Sequence, residues 1–385
     1  MSAVAPYQPG LEGIVAAQTR LSHVDGQEGA LILAGYRVEE IAPVAEFEEI
    51  VYLLWHGSLP TPTELETLRQ ELAAWRTLPG ATVDLLAAAA RERLPAIDAL
   101  RMAAGTLDLE LPAAMHVDAK LGIAVLARMP SIMATYWRLR QGAEPVPPDP
   151  ALGHAANYLY MLCAEPPSPA AVRGLETYLN TVADHGLNAS TFTARVIVAT
   201  RSDIVSAITG ALGALKGPLH GGAPGPALDM VFEIGDPARA EAYLRAKLEA
   251  GERLMGFGHR IYKVRDPRAE VLAAAARTFY TASADKRELY ALAAAVEATA
   301  VRLLAAYKPG RNLQTNVEFY TALLLHGLGL PTELFTPTFA IGRAAGWVGH
   351  ALEQIATGRL IRPAAHYTGA VDRCWVDIAA RTAAA

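Results

Sequence analysis

An all-α fold with a short β segment at its N-terminal end is what this 385-residue sequence predicts. Three observations carry the expectation. β-capable runs are confined to the residues before Val38, helical spacing dominates after it, and no strand–helix alternation recurs. The last point argues against a dinucleotide-binding βαβ core.

The β segment is read in three pieces, residues 14–17, 21–24 and 30–33, with Asp25-Gly26-Gln27-Glu28-Gly29 as the turn between the last two. Helical spacing begins at 39–42 and 47–54. Thr61-Pro62-Thr63-Glu64 combines an N-cap with proline at the first helical position and opens a helix over 65–75. Leu289, Leu292, Ala293, Val296, Ala300, Leu303 and Leu304 form one long apolar stripe. Alanine is abundant throughout, which favours helix and lets helices approach closely. Two proline-rich stretches, 144–150 (EPVPPDP) and 165–169 (EPPSP), cannot be helical and read as loops, either inside one helical body, which their shortness favours, or as domain linkers.

Composition excludes several function classes. Hydrophobic residues make up 52% and charged residues 19%, too apolar for a disordered chain. No consecutive apolar run approaches the ~20 residues that span a bilayer. The first ten residues have neither the basic start nor the apolar centre of a secretory signal, so the expected location is cytoplasmic. A net charge of −5 gives no footprint for nucleic acid or anionic lipid. Cys163 and Cys374 lie in no metal or disulfide spacing, and no metal is expected. Phosphate-loop, zincin and hydrolase-elbow motifs are absent, and Gly256-Phe257-Gly258 lacks the third glycine of a dinucleotide fingerprint.

Three segments stand out. In Lys216-Gly217-Pro218-Leu219-His220-Gly221-Gly222-Ala223-Pro224, a histidine flanked by glycines precedes a helix-like run. A helix N-terminus nearby would keep the ring neutral and fit to donate to a developing oxyanion, or His220 is simply a surface residue in a tight turn. Residues 255–268 (MGFGHRIYKVRDPR) put a basic cluster and a histidine beside a glycine turn, a site for a small polyanion or a solvated loop. In Asn316-Val317-Glu318-Phe319-Tyr320 an isolated carboxylate sits in an apolar setting, either exposed at a helix start or poised as a base.

These segments, in this order, resemble the citrate synthase family. The resemblance extends from Gly10-Leu11-Glu12-Gly13-Ile14-Val15 and Thr19-Arg20-Leu21-Ser22 through Ala183-Asp184-His185-Gly186-Leu187-Asn188-Ala189-Ser190-Thr191. It continues to Phe339-Ala340-Ile341-Gly342-Arg343-Ala344-Ala345-Gly346-Trp347 and Arg362-Pro363, almost the whole chain. It implies a helical homodimer with two domains per subunit: a large one over 1–219 and 326–385, and a small one over 220–325 that closes on the substrates. The implied reaction joins acetyl-CoA to oxaloacetate, with no cofactor beyond the thioester substrate and with neither nucleic acid nor membrane as partner.

By that resemblance His220 stabilises the enolate, His259 polarises the oxaloacetate ketone and Glu318 is the base. His185, Arg268 and Arg343 bind oxaloacetate, and Arg362 reaches across the dimer to do the same. The turn Leu254, Met255, Gly256, Phe257 and Gly258 receives the CoA adenine, and Lys263 lies nearest the CoA phosphates. The physical logic agrees, because a thioester α-proton yields to a carboxylate only if the enolate is stabilised as it forms.

The departure is at the base. Most of the family carries aspartate in this motif; glutamate here resembles a divergent bacterial branch. One extra methylene moves the carboxylate by roughly an ångström, a displacement that can cost about a hundredfold. Ala223-Pro224 and Gly186 also differ from the usual pattern and bear on acyl-chain choice. Two other readings therefore accompany the first: a 2-methylcitrate synthase using propionyl-CoA, and a weakly active or non-catalytic protein that binds acyl-CoA and oxaloacetate.

Overall fold

The computed structural model describes residues 7–220, 225–259, 261–281 and 287–381. It opens with a three-stranded antiparallel sheet, β1 (Ser22–Asp25), β2 (Ala30–Leu33) and β3 (Tyr36–Arg37), hydrogen-bonded in that order. Asp25 pairs with Ala30, so the expected glycine turn forms the hairpin tip. The expectation for 14–17 is corrected: these residues form no strand, and Val15 is 86% exposed. β2 already has a neighbour on each side, and no further strand is present among the described residues to pair with them.

Helices follow for the rest of the chain. They are α1 (Val38–Ile41), α2 (Phe47–His56), α3 (Pro62–Ala74), α4 (Gly80–Arg91), α5 (Ala96–Ala104) and α6 (Asp118–Arg140). After these come α7 (His154–Cys163), α8 (Pro169–Val182), α9 (Ala189–Val198), α10 (Ile204–Leu215) and α11 (Gly225–Ile234). The last five are α12 (Ala240–Glu249), α13 (Pro267–Thr281), α14 (Arg287–Tyr307), α15 (Val317–Gly327) and α16 (Phe335–Thr357). The Thr61 cap forms as expected, with Thr61 and Glu64 closing a reciprocal box ahead of Pro62. Both proline-rich stretches are loops, the second ending where Ser168 caps α8.

The middle of α6, 121–136, is buried on every side, and so is most of α16. Helices apolar all round belong at the centre of a large fold, and these two pack on each other there. Glycine sets how α16 meets α8. A Cβ on Gly346 would lie 2.4 Å from the Ala183 carbonyl oxygen, and the Gly346 N–H donates to that same oxygen at 3.1 Å. This close approach holds 182–185 against the middle of α16, and so places His185 beside Arg343.

By length and mean hydropathy alone α14 could cross a membrane. Its apolar stripe instead packs against α11, α12 and α13. Its Glu297 accepts from Thr315 and Tyr320, and Arg302 pairs with Glu241 at 2.7 Å.

Candidate active site

One cavity of about 460 Å³ gathers most of the side chains singled out in the sequence. Its walls include His185, His220, Gly258, His259, Arg268, Glu318 and Arg343. They come from loops, helix starts and the interior of α16, far apart in the chain, and the volume suits a small-molecule site.

His220 lies beyond the end of α10, and Gly221 to Pro224 fall outside the described residues. A helix N-terminus does face it, that of α9. Its Nε2 meets the Ser190 N–H at 3.2 Å and the Ser190 hydroxyl at 2.7 Å. An amide N–H can only donate, so Nε2 is the acceptor and the proton of the neutral ring is assigned to Nδ1. Trp347 Nε1 donates to the same hydroxyl at 3.0 Å. Burial, helped by the Arg343 charge, lowers the His220 pKa to about 4.

His259 shows the opposite tautomer. The Ile261 and Tyr262 N–H groups approach its Nδ1 at 3.1 and 3.2 Å, which leaves the proton on Nε2. Arg268 Nη2 lies 3.3 Å from that Nε2, farther than either amide from Nδ1, so the two amides decide the tautomer and the Arg268 and Nε2 donors stand side by side at the cavity. Burial first, then the Arg268 and Lys263 charges against the opposing Asp266, lowers the His259 pKa to about 4. His185 is driven well below its usual value by burial, then by Arg268 and Arg343. Its Nε2 contacts the Tyr262 hydroxyl at 3.1 Å.

The two arginines are fixed differently. Asp266 grips Arg268 at Nε (3.1 Å) and Nη2 (2.8 Å). Burial works against the Arg268 charge, and Asp266 outweighs it, so its pKa is raised. Arg343 donates from Nε to the Val182 carbonyl at 2.6 Å, and its guanidinium stacks 4.7 Å from the Phe339 ring centre. Burial lowers its pKa to about 10 despite Asp184, leaving it charged at neutral pH with its terminal nitrogens unbonded among the described residues.

Glu318 sits in the first turn of α15, where Asn316 caps the helix by accepting the Glu318 N–H at 3.0 Å. Its carboxylate receives no hydrogen bond among the described residues. Burial raises its pKa to about 7, with Arg268 pulling the other way. The exposed-at-a-helix-start alternative is thereby set aside. Because the folded value lies above the ordinary 4.5, this group's contribution to stability is full below pH 4.5 and is lost as pH rises through about 7. The basic form is populated over the same rise. An activity needing that base should gain about tenfold in kcat/KM per pH unit below 7 and level off above it, measured for the free enzyme. A flat profile from pH 5.5 to 8 would contradict this, since both cavity-lining histidines with values near 4 stay neutral throughout.

The expected CoA residues divide. Gly256 and Gly258 adopt φ of +86° and +84°, which favours glycine. The turn is bound to the segment leading into α15: Gly258 N–H donates to Gln314 O (2.7 Å) and Asn316 N–H to Gly256 O (3.0 Å). Leu254 is core, while Met255 and Phe257 stay partly exposed. Lys263 lines a second cavity of about 340 Å³ with Arg311, Asn312 and Gln314, and His259 borders both. Of the basic cluster, Arg265 is spent on Glu270 and Glu297. Arg362 is not in either cavity; it is exposed on the extended segment after α16.

Sequence reasoning missed Asp266 and Tyr262 as supports, although both stand in the quoted basic segment. It missed Ser190 and Trp347 too. Asn188, the cap of α9, was the available signal for the first of these.

Neutral, oriented histidines and a carboxylate of raised pKa line one cationic cavity, an arrangement suited to moving a proton on an anionic substrate. Comparison with known proteins gives the lineage. The family model described as "Citrate synthase, C-terminal domain" matches residues 10–364. Citrate synthase 2 of Bacillus subtilis is 42% identical over 377 residues, 97% of this chain and 98% of its own. A 2-methylcitrate synthase of Mycobacterium tuberculosis is 38% identical, covering 94% and 90% respectively. Among solved structures, the citrate synthase of Thermoplasma acidophilum, in ternary complex with carboxymethyl coenzyme A and oxaloacetate, superposes with a TM-score of 0.85. That chain is 31% identical, with 97% of this chain and 98% of that one covered. This chain belongs to the citrate synthase family.

Proposed function

We propose that the protein is a citrate synthase, condensing acetyl-CoA with oxaloacetate and water to citrate and CoA. The observation that carries the reading is Glu318: a half-buried carboxylate, without a hydrogen-bond donor among the described residues, on the same cavity as two neutral histidines of opposite, hydrogen-bond-defined tautomer. Glu318 takes a proton from the acetyl methyl group. His220 donates from Nδ1 to the thioester oxygen as negative charge grows there. The resulting enol carbon bonds to the ketone carbon of oxaloacetate as the C=O π pair moves onto the oxygen, which is held by Arg268 and takes its proton from His259 Nε2 to become the hydroxyl. Arg268, Arg343 and His185 hold the two carboxylates, and water then cleaves the thioester. The acid–base work falls entirely to side chains, so the reaction as written calls for no metal or cofactor.

The cavity draws His185 and Arg343 from the 1–219 and 326–385 parts, and His259, Arg268 and Glu318 from 220–325. That division supports a smaller domain closing over the substrates, which would keep water from the thioester until condensation is complete. The turn 254–258 with Lys263 is the proposed CoA site, and the cytoplasm the proposed location. A thiol-release assay should give CoA only when acetyl-CoA and oxaloacetate are both present. No release from either acetyl-CoA or propionyl-CoA, with CoA still bound, would instead favour the non-catalytic reading. The 38% identity to a 2-methylcitrate synthase favours trying propionyl-CoA alongside. One methylene discriminates by only ~1–3 kcal/mol in an apolar pocket, so measurable propionyl-CoA turnover is expected.

The segment after α16 supports a homodimer with Arg362 crossing to the partner's cavity. It carries Leu360, Tyr367, Trp375 and Ile378 at 59–79% exposure, apolar surface that a second subunit would cover. Arg362→Ala and His220→Ala should each be nearly inactive as homodimers. Mixed together and allowed to exchange subunits, they should recover up to a quarter of wild-type activity, since one of two sites is then intact in half the dimers. No recovery after confirmed exchange would place Arg362 with its own subunit's site.

A further inference from the structure

The hairpin tip at Gly26 reaches the loop that carries His259, and neither the composition nor the motif reading assigns it any part. The Gly26 carbonyl accepts the Lys263 N–H at 2.8 Å. The backbones touch so closely that a Cβ built on Gly26 would stand 2.3 Å from the Ile261 carbonyl oxygen and 2.9 Å from Ile261 Cγ2. On the other side of the tip, a Cβ on Gly29 would stand 2.6 Å from Val264 Cγ2. The obstacle at Gly26 is backbone, which cannot swing aside as a side chain can. Asp25 shapes the tip by accepting the Gln27 and Glu28 N–H groups at 2.9 and 3.0 Å.

The hairpin is anchored at its other end to the cavity as well. The Ser22 hydroxyl donates to Asp184, the neighbour of His185, at 2.5 Å, and accepts the Gly186 N–H at 2.8 Å. One short two-stranded unit thus spans from the His185 segment to the loop whose Ile261 and Tyr262 amides hold the His259 tautomer.

We propose that the β1–β2 hairpin is a positioning strut and Gly26 a positioning residue, setting His259 against Arg268 through the loop at 261–263. Gly26 touches no substrate. The clamp acts by holding two backbone amides on His259 Nδ1, which keeps the Nε2 proton directed into the cavity. The inference deepens the citrate synthase reading and rests on it for the identity of the ligand. The clamp itself is structural and is tested without that identity.

Gly26→Ala is compared with Asp25→Ala, which loosens the tip without adding a collision, and with Gln27→Ala, which trims an exposed side chain at the same tip. Hydrogen exchange of the Ile261 and Tyr262 amides should quicken at least tenfold in Gly26→Ala and severalfold in Asp25→Ala, and stay unchanged in Gln27→Ala. Oxaloacetate affinity by calorimetry should fall at least tenfold and severalfold in the first two, with melting temperatures within a few degrees of wild type. Unchanged exchange and affinity in Gly26→Ala would overturn the proposal. A lowered melting temperature with normal exchange and affinity would overturn it equally, leaving the hairpin a stability element. If wild-type protein binds no oxaloacetate, the functional reading fails, and the exchange rates alone decide the strut.

Discussion

Glu318→Gln should lower kcat for CoA release by about a thousandfold or more while leaving oxaloacetate affinity within a fewfold of wild type. Glutamine keeps the shape of glutamate and cannot accept a proton, so the loss measures base catalysis, for which 10²- to 10⁴-fold is the usual span. Burial holds this carboxyl near pH 7, which suits proton abstraction, because a base with a pKa near ambient pH is ionised in a good fraction of molecules and still basic. The acid limb near pH 7 should vanish from any residual activity of the variant, because His220 and His259 both titrate near pH 4. Glu318→Asp offers the complementary test. If packing around the first turn of α15 is matched to glutamate, the shorter carboxylate falls short by about an ångström and turnover drops by up to a hundredfold. A large gain in that variant would mean that the glutamate is poorly placed.

His220→Ala should cost kcat about 10²- to 10³-fold, the loss typical of removing one oxyanion donor. Its effect on oxaloacetate affinity should be small, because the ring reaches the cavity from the α9 side and Arg268 and Arg343, the arginines proposed for oxaloacetate, are fixed by Asp266 and Val182. Equal loss of turnover and affinity, from steady-state kinetics and calorimetry on the same preparation, would contradict the assigned role. The Ser190 contact explains why neutrality matters. An imidazolium would have to place an N–H against the Ser190 N–H, so the site is built for the uncharged ring.

Much of this is visible in the sequence where the signal is local. Thr61 and Pro62 start a helix by their own chemistry, the DGQEG turn ends a strand pair, and Glu318 follows a capping asparagine. The strand Tyr36–Arg37 is not visible, because the turn before it uses Ala34 at φ +44°, a conformation alanine does not advertise. The neighbour of His220 is hidden for a different reason: the helix next in sequence is the obvious dipole, whereas the fold supplies α9 from thirty residues earlier. Trp347 and Ser190 meet across 157 residues, where α16 packs on α9 and, through its glycines, closely on the end of α8. Arg265 shows the converse, a charge that looks like ligand chemistry and serves Glu270 and Glu297.

The central claim is that Glu318 removes the α-proton of the thioester. It is tested most directly by exchange of the acetyl-CoA methyl protons with deuterium from solvent, in the presence of a four-carbon dicarboxylate that lacks the ketone and cannot be condensed. Wild-type protein should wash deuterium into the methyl group, and Glu318→Gln should do so about a thousandfold more slowly. Exchange at the wild-type rate in Glu318→Gln would contradict the account.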